Sequence, residues 1–202
     1  SLARYRATGD RWAIATVLNQ MSANASTQGD YATAERLLAE SLPILREIQQ
    51  TGGGVAVALN LLGRIVLEQG DAARAIPLFE EALGISQQQD NRQGQAWAWL
   101  NLGLAYLATG ALSAATEAFE SNRQFNEEMR RQGGIMAALE GLAATAAAAG
   151  RLAEASRFLV EAEQLRQASG QLLTAYELAI HERTVATVQA HDATSPSFPA
   201  PL

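Results

Sequence analysis

Only two histidines occur in the chain, His181 and His191, and there is no cysteine and no lysine. That inventory bounds the chemistry. Thiolate zinc sites and disulfides are excluded, as is any reaction that needs a lysine amine. His181 stands in "AIHERTV" beside Glu182. Adjacent residues do not share a helix face, and the H-E-x-x-H zinc spacing is absent. The acidic pairs Glu80–Glu81 and Glu127–Glu128 are adjacent as well, so neither sets two carboxylates side by side for acid–base work. "TGGG" at 51–54 has no lysine after it and no strand before it, unlike a phosphate loop. His181 is therefore expected to be a half-exposed packing residue, and the glutamates a solvated face. No catalysis, no metal and no cofactor are expected.

The elements behind these residues read as helical. Ala, Leu, Gln, Glu and Arg dominate and β-branched residues are sparse, which predicts an all-α chain. The net charge of −6 is interspersed, against a nucleic-acid groove, which needs a basic stripe. No apolar run reaches the roughly 20 residues of a membrane helix. A cytoplasmic chain is expected.

The sequence repeats itself. "GDYATAERLLAESL", "GDAARAIPLFEEAL", "GALSAATEAFESNR" and "GRLAEASRFLVEAE" start at Gly29, Gly70, Gly110 and Gly150, spaced by 41, 40 and 40. Each carries Ala five residues on (Ala34, Ala75, Ala115, Ala155) and Leu38, Phe79, Phe119 or Leu159 nine residues on. Upstream stand small residues, Ser22, Gly63, Gly103 and Ala143, each preceded by Met21, Leu62, Leu102 or Leu142. The pattern describes a helical hairpin. Apolar residues at i, i+3 and i+7 mark one helix face, the glycine stops the helix, and Asp30 and Asp71 are placed to cap the next one. The small residue of the first helix is expected to face the alanine of the second. Gly54, Gly94 and Gly134, with Ala13 in their place in the first copy, recur in the first turn of each leading helix. They are expected to admit the preceding helix. Helices are expected near 13–28, 31–50, 54–69, 72–90, 93–109, 112–131, 134–149 and 152–168, with Pro43 and Pro77 marking bends. A capping helix is expected over 172–190, followed by a Pro-rich, non-helical tail over 191–202.

"WAWLNLGLAYLATGALSAATEAF" resembles a tetratricopeptide repeat: Trp99, Leu102, Gly103, Tyr106, Ala115 and Phe119 fall on its pattern. HEAT-type repeats share the 40-residue length but lack the Gly and Ala signature. The resemblance implies an α-solenoid of four tandem antiparallel hairpins in a right-handed superhelix, with repeats at about 13–53, 54–93, 94–133 and 134–171 in one domain over 1–190. It also implies a concave groove that binds a protein or peptide partner. Carried onto this chain, the groove positions include Asn19, Asn60, Arg64, Trp97, Leu100, Leu104, Leu107 and Glu140. The first half of that groove reads as polar, with Asn60 and Arg64 able to hold a carboxylate or a backbone, and the second as apolar. With one basic residue there, the chaperone-type carboxylate clamp is disfavoured.

"SLARYR" matches "SLPILR" forty residues on, so the chain reads as starting inside a hairpin of a longer array. Leu2 and Tyr5 would then be open to self-association, as would Phe198 of the tail, giving a homodimer through repeat ends. "GDRW", "LNLG" and the end of the array resemble the C-terminal arrays of bacterial LuxR-type regulators and signal-transduction ATPases. That resemblance implies the sensing segment of a larger regulator, binding a protein partner or, alternatively, a small-molecule inducer.

Overall fold

A computed structural model describes residues 2–48, 54–169, 173 and 175–194. Among them are ten helices and no strand: α1 (Leu2–Thr8), α2 (Arg11–Thr27), α3 (Tyr31–Glu47), α4 (Gly54–Glu68), α5 (Ala72–Gln88), α6 (Arg92–Thr109), α7 (Leu112–Glu128), α8 (Gln132–Ala148), α9 (Leu152–Ser169) and α10 (Ala175–Thr194). The chain falls into two compact units, Ser1–Thr109 and Gly110–Leu202. In the first, α2 packs on α3 and α4 on α5, and the leading helices α2, α4 and α6 touch in succession. In the second, α8 packs on α7 and α9, and α10 lies on both α8 and α9. The fold is all-α, built of successive helical hairpins.

The turns explain the repeat. Gly29, Gly70, Gly110 and Gly150 hold φ between 75° and 89°, the left-handed conformation that ends a helix tightly. Asp30 N–H reaches back to Ala25 O at 2.9 Å, and Asp71 N–H to Val66 O at 3.1 Å. The next helix then starts on an aspartate. Asp30 accepts from Thr33 N–H (3.1 Å) and Asp71 from Arg74 N–H (3.2 Å). Asp10 does the same for Ala13 N–H at 3.0 Å. The opposite turns use the same geometry without a glycine signature. Gly9, Asp90 and Arg130 stand at one register with φ of 70°, 50° and 53°.

Close approach explains the small residues. A Cβ on Gly63 would meet the Phe79 ring at 2.4 Å, so glycine admits a wholly buried phenylalanine from the partner helix. Ser22 Oγ donates to the carbonyl of Ala34 at 3.0 Å, as close as the expected small-residue contact requires. Gly54, Gly94 and Gly134 admit the preceding helix. A Cβ there would meet Leu45, Ser86 and Asn126 at 2.8, 2.5 and 2.1 Å. Those three side chains occupy one register position of α3, α5 and α7.

Pro43 and Pro77 lie inside α3 and α5, whose helical spans run through them unbroken. Both prolines, and the residues Ala39 and Ala73 whose carbonyls lose a donor, are exposed, where water can take the place of the missing bond. At the far end α10 runs to Thr194, four residues past the expected limit of 190. No proline intervenes before Pro196, and helix propagation continues through "HDAT" until proline restricts the residue before it. Leu172 and the tail residue Phe198 lie outside the described residues.

Candidate partner-binding face

The leading helices α2, α4 and α6 carry the expected groove residues of the first unit, and the structure divides them into two sets. Asn19 is buried, its Oδ1 accepting from Ser41 Oγ at 2.6 Å. Asn60 is buried too. Its amide donates to Ala56 O at 3.0 Å, and its Oδ1 accepts from Asn101 Nδ2 at 3.1 Å. Arg64 donates to Asn101 Oδ1 at 3.4 Å and pairs with Glu68 at 3.0 Å. Leu104 is also buried. Asn19, Asn60 and Leu104 therefore present nothing to a partner, contrary to expectation. Buried amides must be bonded, and here the helix itself and its neighbours supply the bonds. Asn60 and Arg64, expected to hold a partner's carboxylate, are engaged within the chain, Asn60 with Asn101 and Arg64 with Glu68.

Trp97, Leu100 and Leu107 are half-buried. With them on the leading helices stand Val57, 38% exposed, and Trp12, 49% exposed. Trp12 is the residue the repeat pattern missed, since its counterpart on α6 is Gln93. The Thr16 hydroxyl donates to the Trp12 carbonyl at 2.9 Å, one helical turn apart. Trp12 and Thr16 thus share a side of α2, and Thr16, Val57 and Trp97 share one register position. The face offers two indoles and aliphatic side chains, with the Arg64–Glu68 ion pair as its polar mark. Such a surface buries apolar groups of a partner and gains little from charge.

Exposed ion pairs between helices each have a partner on the trailing helices α3 or α5. Arg6 pairs with Glu40 at 2.6 Å and Arg46 with Glu81 at 2.8 Å, the same bridge in successive repeats. Arg11 grips Glu47 through two bonds of 2.6 Å, which hold the Glu47 carboxyl below its ordinary range. These pairs are exposed and contribute little to stability. Tyr106 donates to Glu80 at 2.9 Å; burial pushes its phenol up, and the Glu80 bond and charge add to the shift. At the start of the chain Leu2 is half-buried and Tyr5 is 36% exposed.

In the second unit Glu140 is buried at 6% exposure, again contrary to its expected place in a groove. It accepts from Arg166 of α9 and, at 2.9 Å, from Nδ1 of His181 on α10. Arg166 also pairs with Glu163 at 2.8 Å. His181 is thus more than the packing residue its neighbours suggested. Its partner lies 41 residues away, at the spacing of the repeat. Among the described residues no group of three or more His, Asp and Glu side chains is placed to hold a metal. No described helix is long and apolar enough to cross a membrane.

No curated protein matches the chain. Among solved structures, BtubC (BKLC) from P. vanneervenii has a TM-score of 0.74 at 16% identity, covering 100% of this chain and 91% of that one. A protein from Podosopora anserina, described as a kinesin light chain with nearly identical TPR-like repeats, has a TM-score of 0.64 at 16% identity, covering 98% of this chain and 99% of that one. A substituted form of the same protein has a TM-score of 0.68 at 18% identity, covering 96% and 89%. At such identity the likeness concerns the fold. Two tetratricopeptide-repeat profiles match the sequence itself, over residues 14–48 and 54–121. Together these matches span about half of the chain, which is a tetratricopeptide-repeat protein.

Proposed function

We propose that the chain is a protein-interaction scaffold and that the leading-helix face of its first unit is where a partner docks. The observation that carries this is the exposure of Trp12 and Val57 beside half-buried Trp97 and Leu100 on one set of helices. Exposed indoles on a rigid scaffold are suited to anchor a partner. The chemistry favours an amphipathic helix or an extended peptide with Leu or Phe anchors. The wider role, the sensing segment of a larger bacterial signalling or transcription regulator, rests on the resemblance of "GDRW" and "LNLG" to such arrays.

The test is selection of peptides from a random library on the immobilised chain, followed by calorimetry of the enriched peptides. Trp97→Arg should weaken binding by at least about tenfold, the scale of one lost interface anchor. Val160→Arg, at an exposed site of α9, should leave it unchanged. Equal binding by both variants would refute the assignment of the face.

A further inference from the structure

α10 lies on α8 as α6 lies on α4. His181 follows Glu140 by 41 residues, as Asn101 follows Asn60, and each pair bonds across neighbouring helices. α10 therefore occupies the seat of a further leading helix. That seat is thinly held. Among the described side chains of α10, Ile180, Thr184 and Val188 are buried, whereas α8 buries ten of its seventeen residues. Val188 packs into a cluster with Ala146, Ala155 and Leu159. A polar contact, the bond from His181 to Glu140, joins α10 to α8. A carboxylate only accepts, so Nδ1 carries the hydrogen whether or not the ring is charged. A helix that buries so few side chains opens at a lower free energy than the helices beneath it.

We propose that the face of α8 and α9 beneath α10 is a helix-docking site, occupied by α10 in the resting chain and available to an incoming amphipathic helix that displaces it. The contacts of α10 define that partner. It carries apolar or β-branched residues at i, i+4 and i+8, as at Ile180, Thr184 and Val188. At i+1 it carries an imidazole or a cation that donates to Glu140. The site belongs to the second unit and goes beyond the reading of the first unit's face.

The test uses the full chain with His181→Glu, which sets a second carboxylate against Glu140. Hydrogen exchange of the α10 amides should quicken by about tenfold or more relative to the unaltered chain, the scale of a lost hydrogen bond to a charged group. His181→Asn, which keeps a donor near Nδ1, should stay close to the unaltered chain. A fluorescent peptide of residues 175–194 should then bind the His181→Glu chain at least about tenfold more tightly than the unaltered chain, because the resident helix no longer competes. The same peptide bearing His181→Glu should not bind. If His181→Glu fails to fold, Val188→Ala, which loosens α10 without a new charge, must show the same gains. Unchanged α10 exchange, or a peptide that binds neither chain or both equally, would overturn the proposal. Trp97→Arg should not alter this peptide's binding, so the outcome is separable from that for the first unit.

Discussion

Asn101 donates its side-chain amide to Asn60 across 3.1 Å, and both residues are buried, at 0% and 1% exposure. The bond joins α4 to α6 and sets the orientation of Arg64, which donates to the same Asn101. Asn101→Ala strands the Asn60 oxygen and removes an acceptor from Arg64. It should cost about 1–3 kcal/mol in chemical denaturation. The double change Asn60→Leu with Asn101→Leu should cost less than the sum of the single changes, because removing both partners leaves no orphan between them.

Glycine is required at Gly63 and dispensable at Gly84. A Cβ at Gly63 would lie 2.4 Å from the buried Phe79 ring, whereas a Cβ at Gly84 meets nothing within 4 Å. Gly63→Ala should therefore destabilise by about 1–3 kcal/mol through overpacking. Gly84→Ala, inside α5, should stabilise by about 0.5–1 kcal/mol through helix propensity. Denaturation midpoints of the two variants should move in opposite directions.

Arg130 holds φ of 53° where Gly9 serves the equivalent turn with φ of 70°. An L-residue with a Cβ pays roughly 1–2 kcal/mol for that conformation. Arg130→Gly should raise the melting temperature, and Gly29→Ala, at φ of 77°, should lower it.

The Asp30 carboxyl is held below the usual aspartate range by its hydrogen bonds to Thr33, side chain first and backbone second. A carboxyl depressed in the folded state contributes stability above its unfolded pKa and loses it as the pH falls through the folded value. The chain should therefore melt above Asp30→Ala at neutral pH, and the gap should close as the solution is acidified below the ordinary aspartate range. A gap that persists in acid would mean that the cap acts through something other than its charge.

The sequence made the hairpins readable because each rests on a local rule. Gly29 and Asp30 announce a stop and a start, and the Gly63 and Ala75 positions recur at constant spacing. The turns near 90 and 130 were readable from the helix spacing, but not their left-handed residues, because Asp90 and Arg130 are not glycines although both sit at the register of Gly9. The site was harder to read. Asn60 and Glu140 stand at positions that face a ligand in the resembled arrays, yet each is turned to a residue 41 places on, Asn101 and His181. A side chain's partner on the next helix is a property of packing, and only the recurrence of that 41-residue step could have signalled it. Trp12 reads as part of "GDRW" and not as a groove residue, because the register gives it no aromatic counterpart.

A partner docked on the leading-helix face of the first unit, as proposed, would lie against Trp12 and Trp97. The three tryptophans of the chain, Trp12, Trp97 and Trp99, supply separate indole N–H signals by which to test it. The measurement is a titration of a library-selected peptide into the labelled chain, followed by NMR. The indole signals of Trp12 and Trp97 should shift with the peptide and saturate together, while those of side chains on the trailing helices stay in place. A peptide that binds to saturation without moving either indole would contradict the account.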